Sequence, residues 1–292
     1  MKKVISIGCF LMTALVTGTV TMSCSSDDEP KKMDYLFTLD AGKPNTYGVA
    51  ETRGLSESGK TLNAIWQAGD KAFVYTDGWA TKMGELSPMA GRTGTNQTKL
   101  DGTVSSTGVK KGDWLNLITP RDVIDYSDQT GVLADIASKW DYATATVTVT
   151  DFDNGKIIAS TAQFTSQQAV VKFVLSKSSD NNPLNVKTLF ITSSSGQLAV
   201  KSTLNGSVTY GNLTVTAGAD TNIFYVALRN DNASGDTYTI TTTDGTTTYN
   251  YTRSDVIFKK GKYYIRNVKM KGPDDTYSER ENYGDADEET WD

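Results

Sequence analysis

From Thr237 to Thr252 the chain reads TYTITTTDGTTTYNYT, and no other feature restricts its fold as tightly as this alternation. Successive side chains of a strand point to opposite faces, so a period of two puts Tyr238, Ile240, Tyr249 and Tyr251 on one face and threonines on the other. Asp244-Gly245 between the halves suits a type I′ turn, whose two central residues need positive φ. Counting outward from that turn predicts a hairpin with Ile240 opposite Tyr249 and Tyr238 opposite Tyr251. A second hairpin is expected at Asn154-Gly155, between ATVTVTDF and KIIAS, with Phe152 opposite Ile157, and a third near Asn205-Gly206.

Further strand patterns are YLFTL from Tyr35, KAFVY from Lys71, WLNLIT from Trp114, AVVKFVL from Ala169, KTLFIT from Lys187, NIFYVAL from Asn222 and KYYIRNVKM from Lys262. The one helical candidate is GVLADIASKW from Gly131, where Leu133, Ile136 and Trp140 share one face at helical spacing. These strands outnumber those of one small sandwich, and the pattern restarts near Phe164. The expected class is therefore all-β, with two tandem β-sandwich domains over residues 34–162 and 163–272. At 38% hydrophobic in 292 residues the chain can bury a core. Residues 273–292 form an acidic tail in which Tyr277, Tyr283 and Trp291 stand isolated, without an alternating apolar run.

The N-terminus carries a different signal. Met1-Lys2-Lys3 precedes an apolar run from Val4 to Val16 that softens toward Met22. A short basic start, an apolar run of this length and a small residue, Ser23, before Cys24 read as a secretory signal over residues 1–23. Gly8, Thr13, Thr17, Gly18, Thr19 and Thr21 dilute the run below what a membrane span of about 20 apolar residues needs. The only other cysteine, Cys9, lies inside the signal, so Cys24 is not expected to form a disulfide. Without histidine or a cysteine neighbour it is not expected to bind metal either. Lipidation of Cys24 is the remaining reading: the signal resembles that of a bacterial lipoprotein, with Thr21 in place of the usual leucine. Residues 24–33 then form an acidic tether, and Ser25-Ser26-Asp27-Asp28-Glu29 resembles the export tag of surface lipoproteins in Bacteroides-type bacteria.

The search for chemistry returns little. With no histidine, Ser-His and Cys-His nucleophile arrangements are excluded. No GxSxG elbow, dinucleotide GxGxxG turn or GxxxxGK[ST] loop occurs. Paired carboxylates would suffice for glycoside hydrolysis, but nothing singles out a pair. Asp151 to Gly155 (DFDNG) departs from a calcium loop in its glycine position and lacks the later glutamate, which leaves a hairpin turn. No catalytic residue, cofactor or metal is expected, and a formal charge of −5 offers no basic footprint for nucleic acid. Trp79, Trp114 and Trp140 are candidates for stacking on a saccharide, against the plainer reading of core or rim aromatics.

The stretch TLNAIWQAGDKAFVY, with Trp66, Gly69, Asp70, Phe73 and Val74, resembles the N-terminal domain of fimbrillin-like proteins, the type V pilins and related surface lipoproteins of Bacteroides-type bacteria. DWLNLITP with Pro120, FTSQQAVVKFVL, NIFYVALR, and VIFKKGKYYIRNVKM with Gly261, Lys262 and Tyr264 are similar to further stretches of that family, in the same order. The resemblance implies transthyretin-like sandwiches and a structural or adhesive role without catalysis. It implies an outer-membrane lipoprotein, exposed at the cell surface or within a fimbria, whose partners are other pilin subunits, the membrane lipid on Cys24 and a host or bacterial surface ligand. It further implies that an arginine-specific protease cuts between Arg53 and Gly54 in the loop GVAETRGLSESGK, removing the YLFTL strand. A strand of the next subunit then fills the groove by β-augmentation. The tail is too acidic to be a good donor, and the last strand, KYYIRNVKM, is the other candidate. This favours an accessory, anchor or tip subunit over the main shaft. The alternative is a surface glycan-binding lipoprotein that captures polysaccharide.

Overall fold

The computed structural model describes residues 31–43, 55–58 and 61–275. Cys24, Arg53 and Gly54 lie outside the described residues, as do the signal, most of the tether and the chain beyond Asp275. In chain order the strands are β1 (Met33–Gly42), β2 (Leu55–Ser58), β3 (Thr61–Ala64), β4 (Ala72–Thr76), β5 (Lys82–Pro88), β6 (Gln97–Ser106) and β7 (Trp114–Thr119). They continue as β8 (Ile124–Asp125), β9 (Ala143–Asp153), β10 (Lys156–Ala159), β11 (Ala162–Gln163), β12 (Thr165–Ser166), β13 (Ala169–Lys177) and β14 (Val186–Ser193). The last are β15 (Ala199–Ser202), β16 (Val208–Tyr210), β17 (Leu213–Thr221), β18 (Ile223–Leu228), β19 (Asp236–Thr243), β20 (Thr248–Val256) and β21 (Tyr263–Met270). The chain is all-β, as its alternation requires.

The first sheet runs β10-β1-β6-β5-β4-β7-β9, and β9 pairs back onto β10, so the sheet returns on itself. Alternation fills its interior. Tyr35, Phe37, Leu39 and Ala41 of β1 meet Leu100 and Val104 of β6, Leu115 and Leu117 of β7, and Val147 and Val149 of β9. The turn at Asn154-Gly155 takes positive φ at both residues, and Phe152 faces Ile157 as its chemistry predicts.

Two strands of this ring are buried on both faces. Ala72 and Val74 of β4 and Leu115 and Leu117 of β7 belong to the ring's core, whereas Phe73, Tyr75 and Ile118 belong to a second core. That explains why AFVY reads as a continuous apolar run and why Leu117 and Ile118 are apolar at successive positions. The second core lies between the sheets β18-β13-β21 and β17-β14-β19-β20. Leu55, Leu62 and Ala64 of the β2–β3 hairpin and Ile124, Tyr126, Ile136, Trp140 and Tyr142 also enter it. Gln129, which is buried, serves there as a stand-in peptide group. Its Nε2 donates to the carbonyls of Tyr126 and Ala227, each at 2.9 Å, and its Oε1 accepts the Ala227 N–H at 2.8 Å. The described residues from Lys32 to Asp275 form one compact unit built around these two cores.

Two local expectations need correction or refinement. In the β19–β20 hairpin Ile240 faces Tyr251 and Thr242 faces Tyr249, two residues away from the predicted register. Asp244 causes the shift. Its Oδ1 accepts the N–H groups of Thr246 and Thr247 at 3.0 and 2.9 Å, so the loop spans Asp244 to Thr247 instead of closing in two residues. A slip of two preserves the side-chain face, and Tyr238, Ile240 and Tyr249 stay buried. The helical segment is shorter than a regular helix. A turn at Leu133–Asp135 passes into a π-helical turn at Ile136–Trp140, closed by Asp141 N–H to the Ile136 carbonyl at 2.8 Å.

Candidate functional site

The first strand is held unequally on its two sides. β1 pairs with β6 at ten positions, from Met33 opposite Ser106 to Gly42 opposite Gln97. On its other side it pairs in parallel with β10 at Leu36 and Phe37, and with β11 at Ala41 and Gly42. Its inward residues carry the strand's stability. Phe37 and Ala41 are fully buried, Leu39 nearly so, and Tyr35 packs 5.9 Å from Phe152. At about 1.5–3 kcal/mol per buried large apolar side chain, Phe37 and Leu39 alone contribute about 3–6 kcal/mol.

Lys43, the residue after β1 and the turn-out at Gly42, ends this apolar row in a charged socket. Its Nζ lies 2.6 Å from Asp70 Oδ2, donates to the Ile65 carbonyl at 2.9 Å, and sits 4.5 Å from the centre of the Trp66 ring. The Lys43 side chain is only 9% exposed and that of Asp70 15%, so the pair is close to dry. Asp70 owes its place to the tight turn of Gln67 to Asp70, in which Gln67 N–H donates to its Oδ2 at 3.0 Å and Asp70 N–H to the Gln67 carbonyl at 3.1 Å. Trp66 is fixed in turn by the edge of Phe164, at 5.5 Å.

A second carboxylate stands close by. Asp141 accepts Gln168 Nε2 at 3.0 Å and lines a cleft of about 30 Å³ with Leu55, Leu62, Ala64, Val170 and Tyr263. Enclosure by protein pushes its carboxyl up to about 6; the charge of Lys43 acts against this and that of Asp70 with it. Lys43 therefore pairs directly with Asp70, and its charge also favours the ionised form of Asp141.

A third charged contact fastens the chain beyond residues 44–54, which lie outside the described residues. Glu57 of β2 accepts Lys172 Nζ at 2.8 and 3.0 Å, the Tyr225 hydroxyl at 2.5 Å and the Tyr263 hydroxyl at 2.9 Å. These donors come one each from β13, β18 and β21, so the carboxylate spans the whole three-stranded sheet. Burial opposes its charge, but these donors prevail and hold the carboxyl below its ordinary value. Arg53 and Gly54 thus lie between two anchored points, Lys43 and Leu55, the latter 6% exposed.

The tryptophans do not make one platform. Trp140 is 3% exposed and donates its indole N–H to the Ser127 carbonyl at 3.1 Å. Trp79 is half-buried against Tyr75 at 5.6 Å, and Trp114 alone is broadly exposed, at 58%. Trp140 also borders an open cleft with Arg121, Asp125, Ser127, Asp128 and Lys139, but its buried ring offers a sugar no stacking face. Among the described residues no cluster of three Cys, Asp or Glu side chains could hold a metal ion. Lys43, Glu57 and Asp141 were not legible as a site. The one signal for Lys43 is its position two residues beyond an alternating apolar run.

No family model matches the chain, and no curated protein matches it. Among solved structures it is similar to a fimbrial assembly protein from Parabacteroides distasonis, 12% identical, covering 81% of this chain and 92% of that one, at a TM-score of 0.42. A candidate cell adhesion protein from Bacteroides uniformis is 16% identical over 80% of this chain and 96% of its own, at 0.44. The shaft pilin SpaA from Lactobacillus rhamnosus GG is 12% identical over 84% of this chain and 100% of its own, at 0.32. The fimbrillin-like resemblance of this chain rests on its own stretches, from Thr61 to Tyr75, Asp113 to Pro120, Phe164 to Leu175, Asn222 to Arg229 and Val256 to Met270.

Proposed function

We propose that the protein is a lipid-anchored, surface-exposed fimbrillin-like subunit, acting as a pilus accessory, anchor or tip in assembly or adhesion, without catalysis. In this reading it is built as two sandwich domains, residues 34–162 and 163–272, with side chains of the first also entering the second core, and Cys24 is the lipid attachment point. Partner subunits join by strand complementation: cleavage between Arg53 and Gly54 releases β1, and an extended segment of the partner takes its place.

One observation carries this reading. β1 closes the ring with a full ladder to β6 but only short parallel pairings to β10 and β11. A strand so placed can leave as a unit, and it leaves behind an unpaired β6 edge and a row of emptied apolar positions. Glu57 supports the reading too, because the chain just beyond the cut stays fastened to the second sheet when β1 is gone.

Three measurements test the proposal. Cys24→Ala should move the protein from the membrane fraction to the soluble one; unchanged fractionation removes the anchor. An arginine-specific protease should give a new N-terminus at Gly54, and an uncut loop removes the maturation step. Electron microscopy of the cut protein mixed with candidate partner subunits should show joined subunits; separate particles throughout would remove complementation.

A further inference from the structure

We propose that the socket around Lys43 is a recognition site for a lysine side chain, and that the strand replacing β1 must carry a lysine two residues beyond its last inward apolar residue. This rests on the reading that β1 is exchanged for a strand of a partner. The pattern the groove demands is read from its present occupant: inward apolar residues at Tyr35, Phe37, Leu39 and Ala41, then Lys43.

The reason is what β1 leaves behind. Without Lys43, Asp70 loses its ion pair and among the described residues keeps the Gln67 N–H, the Ile65 carbonyl loses its ammonium donor, and the positive charge that favours ionised Asp141 goes too. A charged group stranded away from water is far more costly than a lost surface ion pair. An incoming strand with an apolar residue at this place would fill the groove and leave these acceptors unmet. One with an acidic residue would add a third negative charge beside Asp70 and Asp141. A lysine satisfies all of them, and the ring of Trp66 adds a face for its ammonium.

The same requirement says where the partner strand originates. Besides β1, the pattern occurs once in the chain, at Ala169, Val171, Phe173, Leu175 and Lys177. That segment is β13, flanked by β18 and β21, and cannot be donated without dismantling the second core. Residues 276–292 have a single basic residue, Arg280, with Ser278 and Thr276 at the places that should be apolar. The donor is therefore a lysine-ended strand of a different subunit, not the tail of a second copy.

The test uses the full chain cut at Arg53 and a fluorescent synthetic peptide with the sequence Met33 to Lys43, amidated at its end, beside the same peptide with Lys43→Met. Anisotropy should show the lysine peptide binding at least about 100-fold more tightly. Asp70→Asn in the protein should shrink that gap. Equal binding of the two peptides overturns the socket. Binding of neither peptide to properly cut protein overturns strand exchange and the inference with it. Filaments formed by the cut chain alone would overturn the requirement for a different subunit. An uncut loop would count against maturation only, and the intact chain then judges the socket. There, Lys43→Met should speed hydrogen exchange of the Phe37 and Leu39 amides at least about 100-fold, and unchanged exchange overturns the proposal.

Discussion

Asp141→Asn should make the protein more stable at neutral pH and leave it unchanged in acid. The wild-type carboxyl titrates near 6 in the folded chain against an ordinary 3.8. Each unit of such a shift corresponds to about 1.4 kcal/mol, and because a cleft leaves the group partly reachable, the penalty at neutral pH is about 1–3 kcal/mol. Its sign follows from which state gives up the proton first. Below about pH 4 both folded and unfolded chains hold the proton, and the group costs nothing. As pH rises toward 6 the unfolded chain ionises first, so folded stability falls, and above that the full penalty remains. Asparagine stays neutral throughout, and its Oδ1 can still accept from Gln168. Asp125, Asp135 and Asp236, whose carboxyls are held below the ordinary range, tilt the profile the other way, but equally in both chains. The difference between variant and wild type in urea unfolding, followed by tryptophan fluorescence from pH 4 to 8, should therefore climb from about zero to about 1–3 kcal/mol. A flat difference, or a variant less stable at pH 7, would refute the account of Asp141 as a carboxyl pushed up to about 6 by its enclosure.

Three further perturbations probe the surrounding architecture. Phe37→Ala empties a fully buried position in β1 and should cost about 3–5 kcal/mol in chemical denaturation, with faster exchange along β1 and β6. Glu57→Ala removes the acceptor shared by Lys172, Tyr225 and Tyr263 and should cost about 1–3 kcal/mol; limited proteolysis should then cut the β2–β3 hairpin more readily. Gly102→Ala would press its Cβ onto the Glu85 carbonyl oxygen and to 3.0 Å from Leu86 Cδ2, so forcing β5 and β6 apart should cost about 1–3 kcal/mol, seen as a lower midpoint of thermal unfolding.

How much of this was legible differs by residue. Asn154-Gly155 declared its hairpin because turn geometry and face pattern are both local, and the pairing of Phe152 with Ile157 followed. Asp244-Gly245 looked equally clear, yet its side chain captured two later N–H groups and lengthened the loop, a competition that turn propensity does not weigh. Glu57 gave no sign at all, being one polar residue in a polar loop. The sequence marks Trp140 both as part of an apolar helical face and as a candidate for saccharide stacking, and it is core, since a helical face says which residues line up but not what they meet.

By itself, then, the sequence determined most of the strands, their inward faces and most turns, because each depends on residues within a few places of one another. Only the tertiary structure decided that β1 closes a ring and that β4 and β7 serve two cores. It alone brought Lys43 to Asp70 across 27 residues, and Glu57 to Lys172 across 115 and to Tyr263 across 206. Side-chain alternation fixes which way a strand faces, whereas the order of strands in a sheet fixes which distant charges share one dry space, and no local period encodes that order.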